Sequence, residues 1–174
     1  FPYTTLFRSD KQSSDIENAI ILLDNKTNGI YALSGKINQN HQVGSTIKPI
    51  LSYAPAFEKR ILSPASPILD EPTTFSDYTP HNLKNKYYGW GDSRFALKNS
   101  LNIPAIKVLS YTGLDYSINF AKNLGLSFTN NDRHLALALG ASEYGQSLLD
   151  ITNAYACFAR LGKYDTPHFI KRIE

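Results

Sequence analysis

The chain has 174 residues, of which 42% are hydrophobic and 19% are charged, enough for one globular core. A formal net charge of +3 without a run of Lys or Arg excludes the charge pattern of nucleic-acid-binding proteins. One cysteine excludes a disulfide framework, and the four histidines lie too far apart in the sequence to predict a metal site. We therefore expect no metal or other cofactor and no nucleic-acid partner.

The first nine residues, FPYTTLFRS, look like a translated sequencing adapter. We expect residues 1–9 to be a non-native artefact and residues 10–174 to hold the domain. No apolar run approaches the roughly 18 residues that a membrane span needs, and no signal peptide is visible.

The clearest local signal is the stretch 18–35, NAIILLDNKTNGIYALSG. An apolar run at 19–23 precedes a polar turn that ends in Asn28-Gly29, and a second β-prone run follows at 30–33. This order predicts a β-hairpin. The unbroken apolar first strand predicts burial on both of its faces.

From Ser45 onward the apolar residues recur at helical spacing and predict a helix with one side in the core. The residues of this stripe are Ile47, Ile50, Leu51, Ala54 and Phe57. Residues 60–92 are rich in Pro, Ser, Asp, Tyr and Gly, which predicts a long irregular segment.

Three short helices are predicted next, over 94–99, 103–111 and 115–124. Asp115 is the expected N-cap of the third helix, and Gly125 suits the position after its end.

A further helix is predicted to begin at Ser147 and Asp150, which form a capping-box pattern, and to end at Gly162. Its expected core-facing residues are Leu148, Ile151, Tyr155, Phe158 and Leu161. Residues 168–173 predict the start of another strand.

The stretch 41–50, HQVGSTIKPI, carries the clearest chemistry. Ser45 and Lys48 lie three apart, which on a helix places them on one face with Cβ atoms about 5–6 Å apart. A serine becomes a nucleophile when a base takes its proton, and a lysine serves as that base when burial lowers its pKa. Pro49 suits a first helical turn, where its missing N–H leaves no partner unsatisfied. Alone, the pattern also fits a capped helix with a surface lysine.

The segment QVGSTIKPILSYAPAFE resembles the first motif of penicillin-binding proteins, specifically the transpeptidase domain of the class A bifunctional type. That family combines S-x-x-K with S-x-N and K-[TS]-G. The second motif matches Ser100-Leu101-Asn102, in a predicted loop 55 residues after Ser45. There Ser100 and Asn102 can face one cavity while Leu101 packs away.

The resemblance extends over about residues 17–174, in the order expected for the family. The hairpin, DEPTTF, YYGWGDSRFAL and LALALGASEYGQSLLDITNAYACFARLGKY all carry it. A second S-x-N match, Ser117-Ile118-Asn119, lies within a predicted helix, where residues two apart point in different directions. We interpret that match as structural.

The resemblance implies an α+β fold of the three-layer α/β type, as in β-lactamases and transpeptidases. Here it is incomplete, with an N-terminal hairpin and a helical subdomain but without the C-terminal strands of the sheet. It also implies a D,D-transpeptidase of peptidoglycan synthesis at the extracytoplasmic face of a bacterial membrane, acting on stem peptides and binding β-lactams. The membrane anchor would lie outside this chain.

The resemblance also assigns roles to residues of the two motifs. Ser45 would attack the penultimate D-Ala carbonyl, with Lys48 as its base. Ser100 would relay a proton to the leaving amine, and Asn102 would hold the substrate amide. Gly44 and Trp90 are the expected substrate-binding residues.

The sequence departs from the family pattern because no K-[TS]-G follows residue 102. In the family, that motif supplies a cation for the substrate carboxylate, and its strand supplies an oxyanion-hole N–H. We therefore expect a truncated transpeptidase domain that is inactive in isolation. A serine β-lactamase or D,D-carboxypeptidase is an alternative, although Glu143 is the only glutamate between the second motif and Glu174. A non-catalytic penicillin-sensing or wall-binding domain is another alternative. The two intact motifs argue against it.

Overall fold

The structure is a computed structural model that describes residues 18–76 and 78–170. The suspected artefact at 1–9 lies outside the described residues. Within them, the strands form three antiparallel pairs: β1 (Ile20–Leu23) with β2 (Ile30–Ser34), β3 (Asn40–His41) with β6 (Gln146–Ser147), and β4 (Pro67–Asp70) with β5 (Gly89–Asp92). The α-helices are α1 (Ala54–Glu58), α2 (Ser93–Lys98), α3 (Asn102–Thr112), α4 (Leu114–Asn123) and α5 (Leu148–Ala159).

The predicted hairpin is confirmed, with Ile20 opposite Ser34 and Leu23 opposite Ile30. The prediction that β1 is buried on both faces is wrong, because Ile20 and Leu22 are 41% and 52% exposed. In the described part of the chain β1 pairs only with β2 and packs against α5, so one face stays open.

Helix α3 occupies the centre of the fold and is buried on nearly all sides. Residues of α3 that are completely buried include Ile103, Ala105, Ile106, Val108 and Leu109. A helix that is apolar all round needs neighbours all round, and α3 contacts the segment after Ser45, α4 and the 3₁₀ helix Leu135–Leu139. Because α3 begins at Asn102, this packing fixes the position of the S-x-N motif.

The segment 60–92 is more regular than predicted, because β4 and β5 pair within it. Pro67 lies opposite Asp92, and Asp70 lies opposite Gly89. The prediction of an irregular segment is therefore wrong. The sequence of β5, Gly-Trp-Gly-Asp, has little strand propensity, and its partner is more than 15 residues away, so no local signal marks the pair.

The predicted cap of α4 is also wrong in detail. The helix begins at Leu114, with Gly113 as its N-cap at φ +92°, and Asp115 lies in the first turn. There the carboxylate still complements the helix dipole, and it forms an ion pair with Arg133. Gly125 follows the helix at φ +91°, as predicted.

The N-cap of α5 is confirmed, since Ser147 Oγ accepts a hydrogen bond from Asp150 N at 3.0 Å. Its predicted core-facing stripe is correct only in part, because Ile151 packs against the core but three other members are exposed. Tyr155 and Phe158 are 38% and 37% exposed, and Leu161 is 93% exposed. The buried residues of α5 are Asn153, Ala154, Ala156 and Cys157. Small side chains let this face approach the core closely.

After α5 the chain returns to the hairpin. His168 forms a parallel bridge with Gly29, and Ile30 N donates to His168 O at 2.9 Å, which agrees with a strand beginning near 168. Residues 171–173 of that prediction lie outside the described residues. No helix within 18–76 and 78–170 is long and apolar enough to cross a membrane.

Candidate active site

Ser45 and Lys48 lie one 3₁₀ turn apart. The helical segment 44–58 begins as the 3₁₀ helix Gly44–Ile47, continues as the π-helix Pro49–Tyr53 and ends in α1. Pro49 has no N–H to donate to Ser45 O four residues earlier, and Lys48 N–H donates to that oxygen instead. Side chains three apart eclipse in an ideal 3₁₀ turn, which favours the predicted shared side, but Ser45 is exposed whereas Lys48 is buried. Pro49 itself lies after this turn, not within the first turn as we predicted.

Contacts on both sides hold the turn that carries Ser45. Gly44 has φ +54°, and Gly140 packs so closely against it that a Cβ on Gly140 would lie 2.4 Å from Gly44 N. Tyr155 on α5 donates its hydroxyl proton to Thr46 O at 2.7 Å. The turn therefore presents Ser45 at the surface, where its side chain is exposed.

Lys48 is buried, with only 1% of its surface exposed. Its Nζ donates to Ser100 O at 2.6 Å, to Asn102 Oδ1 at 2.6 Å and to Ser100 Oγ at 3.1 Å. Burial lowers the pKa of Lys48 to about 8. About one tenth of the amine is then neutral at pH 7. A lysine in this state can take up a proton and pass one on near neutral pH.

Ser100 occupies a backbone position that usually belongs to glycine. Its N–H donates to Leu97 O, and Leu101 N–H donates to Ala96 O, at 2.9 and 3.0 Å, which is the Schellman motif at the end of α2. Ser100 itself has φ +52°, in the left-handed region. Leu101 is buried, so Ser100 and Asn102 both face Lys48 while Leu101 packs away, as predicted.

Asn102 is the first residue of α3 and is held by both ends of its amide. Its Oδ1 accepts from Lys48, and its Nδ2 donates to His81 O at 2.7 Å. Its backbone N–H donates to Asn82 Oδ1 at 2.8 Å, and Asn82 in turn bonds Asp70. Sequence reasoning missed Asp70, His81 and Asn82, because nothing in a segment expected to be irregular marks a side chain as buried.

The remaining predicted residues fall in different places. Gly44 lines an open cleft of about 660 Å³ with Gln42, His134 and Glu143 among its other walls. Trp90 lies on β5, is 71% exposed and does not belong to the lining of that cleft. Its assignment to substrate binding stays a prediction.

The second S-x-N match is structural in its setting. Ser117 and Asn119 lie within α4, where Ser117 is completely buried and Asn119 is exposed. The two side chains therefore share no cavity. Over the part of the chain that the structure describes, no group of three or more His, Cys, Asp or Glu side chains could hold a metal ion.

Comparison with known sequences decides the family. The family model described as "Penicillin binding protein transpeptidase domain" matches residues 18–174. The chain belongs to the penicillin-binding protein transpeptidase family. This confirms the resemblance seen in the two motifs, and with it the penicillin-binding and peptidoglycan-synthesis family that they predicted.

Curated relatives of this transpeptidase family agree. The chain is 35% identical to penicillin-binding protein 1A/1B of Bacillus subtilis over 173 residues, covering 91% of this chain and 19% of the relative. It is 34% identical to penicillin-binding protein 1F of the same organism, covering 90% of this chain and 23% of the relative. The chain thus spans about a fifth to a quarter of these relatives, whose names support the predicted class A type.

Solved structures show the same fold. Penicillin-binding protein 1A of Haemophilus influenzae aligns with a TM-score of 0.72 at 29% identity, covering 80% of this chain and 23% of that one. PonA1 of Mycobacterium tuberculosis aligns with a TM-score of 0.77 at 21% identity, covering 91% and 46%. The predicted α+β fold of the transpeptidase type is confirmed, and the paired strands and helices described above form part of it.

Proposed function

We propose that this chain carries the nucleophile side of a serine D,D-transpeptidase site of peptidoglycan synthesis. The observation that carries the proposal is the buried Lys48 amine, which lies one 3₁₀ turn from the exposed Ser45 and bonds both polar residues of the S-x-N motif. Family membership and the burial of Lys48 support the same interpretation.

In the proposed reaction, neutral Lys48 takes the proton of the Ser45 hydroxyl as Oγ attacks the carbonyl of the penultimate D-Ala. The tetrahedral intermediate collapses when the bond to the terminal D-Ala nitrogen breaks. That amine leaves with a proton from Ser100, which Lys48 replaces across their 3.1 Å contact. An amine of a neighbouring stem peptide then attacks the ester carbonyl, its proton passes through Ser100 and Lys48 to the departing Ser45 Oγ, and the new amide bond forms the cross-link.

Asn102 would contribute by holding both the lysine and the substrate. Its Oδ1 already accepts from Lys48, and one hydrogen of its Nδ2 points to His81 O. The second Nδ2 hydrogen stays available for a substrate carbonyl. The proposed partners are therefore stem peptides and the β-lactams that mimic their ends, at the extracytoplasmic face of a bacterial membrane. PonA1 of Mycobacterium tuberculosis, which shares this fold, has a solved structure in complex with penicillin V.

A β-lactamase would need a base that deacylates Ser45 quickly. Glu143 lines the cleft beside Gly44, but its carboxylate accepts from Thr129 Oγ1 at 2.7 Å and Asn131 Nδ2 at 3.0 Å. The hydrogen bond from Thr129 has the largest effect and that from Asn131 the next. Together they lower the pKa of Glu143, which makes its carboxylate a weaker base. We therefore expect a long-lived acyl-enzyme, with one penicillin consumed per site and no continued turnover.

The 174 residues contain no K-[TS]-G after the S-x-N motif. Loss of one oxyanion-hole donor alone slows such enzymes by about 10²–10³. We expect the isolated chain to be acylated far too slowly for stoichiometric labelling. Rapid labelling of the purified chain at Ser45 would contradict this expectation.

The function is best tested with residues 18–174 grafted into penicillin-binding protein 1A/1B of B. subtilis in place of the matching segment. We expect a fluorescent penicillin to label this protein stably, and Ser45→Ala and Lys48→Ala to abolish labelling. A folded graft that stays unlabelled would contradict the proposed function. Continued hydrolysis of the penicillin would favour the β-lactamase alternative.

A further inference from the structure

Asp70 and Asn82 form a buried polar pair beneath the start of α3. Their exposed fractions are 2% and 5%. Asn82 Nδ2 donates to Asp70 Oδ1 at 2.8 Å and to Oδ2 at 2.9 Å, and Tyr88 N donates to Oδ2 at 3.0 Å. Both carboxylate oxygens thus accept from N–H groups, an arrangement that suits the ionised carboxylate.

The carboxylate decides which way the Asn82 amide points. An ionised carboxylate only accepts hydrogen bonds, so the amide nitrogen of Asn82 must face Asp70 and the amide oxygen must face away. That oxygen accepts from Asn102 N at 2.8 Å and from Ile103 N at 3.3 Å. These are the first N–H groups of α3, which have no carbonyl partner within the helix. If the Asn82 amide were reversed, its NH₂ group would face the N–H groups of Asn102 and Ile103, and donors would meet donors.

His81, the residue before Asn82, holds the side chain of Asn102. His81 O accepts from Asn102 Nδ2 at 2.7 Å, while Asn102 Oδ1 accepts from Lys48 Nζ at 2.6 Å. The dipeptide His81-Asn82 therefore fixes Asn102 through both its backbone and its side chain. A displacement of α3 at this point would move an acceptor of the Lys48 ammonium.

We propose that Asp70 and Asn82 are positioning residues for the Ser45 site. Asp70 orients the Asn82 amide, Asn82 fixes the start of α3, and Asn102 in turn holds the Lys48 amine. The catalytic consequence rests on the proposed function, whereas the orientation of Asn102 and Lys48 does not depend on whether Ser45 reacts.

Two variants test this chain of contacts. In Asp70→Asn, the new amide donates as well as accepts, so the Asn82 amide loses its fixed orientation. In the exchange variant Asp70→Asn/Asn82→Asp, the carboxylate at position 82 can accept from Asn102 N and Ile103 N, and the amide at position 70 can donate to it. The exchange is unfavourable at Lys86 O, which accepts from Asn82 Nδ2 at 3.0 Å and would face a carboxylate oxygen instead, so we expect this variant to be less stable than the wild type.

The readouts are NMR measurements on the 174-residue chain at about pH 6, where the Lys48 ammonium form dominates. They are amide hydrogen exchange at Asn102 and Ile103, and the Nζ resonance of Lys48. In Asp70→Asn we expect exchange at these two amides to become at least about tenfold faster and the Nζ resonance to shift. In the exchange variant both should return towards wild-type values, because the carboxylate at position 82 again accepts from the two amides.

Asn153→Ala provides the matched control. Asn153 is also buried, donates to Asp165 O at 3.0 Å and accepts from Arg160 at 3.2 Å, but it lies on α5. The Asn153→Ala substitution should lower global stability without shifting the Nζ resonance of Lys48. An unchanged resonance in Asp70→Asn, an equal change in Asn153→Ala, or no recovery in the exchange variant would overturn the proposal.

Two further outcomes stay separable. If Asp70→Asn does not fold, the exchange variant decides alone. A folded exchange variant with the wild-type Lys48 resonance supports the proposal. An exchange variant without that resonance overturns it. Failure of penicillin to label Ser45 in the graft would contradict the proposed function while leaving these NMR results unaffected.

Discussion

Replacement of Lys48 with methionine should remove a specific pH dependence of stability. Burial lowers the pKa of Lys48 from 10.5 to about 8 in the folded protein. Between these two values the unfolded chain binds more protons than the folded one, so the free energy of unfolding of the wild type rises with pH. The destabilising effect of the buried charge is complete below pH 8 and is gone above about 10.5.

The size of this effect follows from the same two values. At 1.36 kcal/mol for each pKa unit, the change from 10.5 to about 8 corresponds to about 3–4 kcal/mol. The three hydrogen bonds of the ammonium favour its charged form, so we expect an observed rise of about 1–3 kcal/mol. Lys48→Met cannot show this rise, although it leaves the Ser100 and Asn102 acceptors unpaired and is less stable overall.

The assay is chemical unfolding followed by circular dichroism at several pH values between 7 and 10.5, the ordinary pKa of lysine. The informative quantity is the difference in unfolding free energy between wild type and Lys48→Met, because groups common to both proteins cancel. Lys98→Met, at an exposed position near the end of α2, serves as the control. A wild-type–Lys48→Met difference that stays constant from pH 8 to 10.5 would refute the burial of a titrating Lys48 amine.

Three further predictions concern the same site. Ser100→Gly should be more stable than Ser100→Ala by about 1 kcal/mol in thermal unfolding, because both lack the hydroxyl but only glycine adopts φ +52° without strain; equal stabilities would contradict the left-handed backbone. Gly140→Ala should destabilise the protein by more than about 2 kcal/mol, because the new methyl group meets Gly44. Gly162→Ala, also at φ +86° but in open space, should cost about 1 kcal/mol. Thermal melts that reverse this order would argue against the close contact. The acylation rate of the grafted protein should rise with pH and level off above about 8 as Lys48 loses its proton, and a pH-independent rate would exclude Lys48 as the base.

Local sequence signals predicted the elements that carry the S-x-x-K and S-x-N motifs better than the strands beside them. The hairpin, α3, the cap of α5 and the loop position of Ser100 follow from local signals such as turn residues and helix stop patterns. The pairing of β4 with β5 does not, because Gly89–Asp92 has little strand propensity of its own.

The prediction for α5 was wrong at Tyr155, Phe158 and Leu161, which are exposed, for a related reason. Sequence periodicity favours the side with the larger apolar residues, but the close approach of Ala154 and Cys157 to the core decides which side is buried. Within the site, the pair Ser45 and Lys48 was visible from its spacing. Asp70 and Asn82 were not, since their partners are far apart in the chain and hydrogen-bonded polar burial leaves no pattern.

The most direct test of the central claim is to locate the covalent adduct. After treatment of the grafted protein with penicillin, peptide mapping by mass spectrometry should find one added penicillin on the peptide that contains Ser45, and none in Ser45→Ala. An adduct on another residue, or one that persists in Ser45→Ala, would contradict the assignment of Ser45 as the nucleophile.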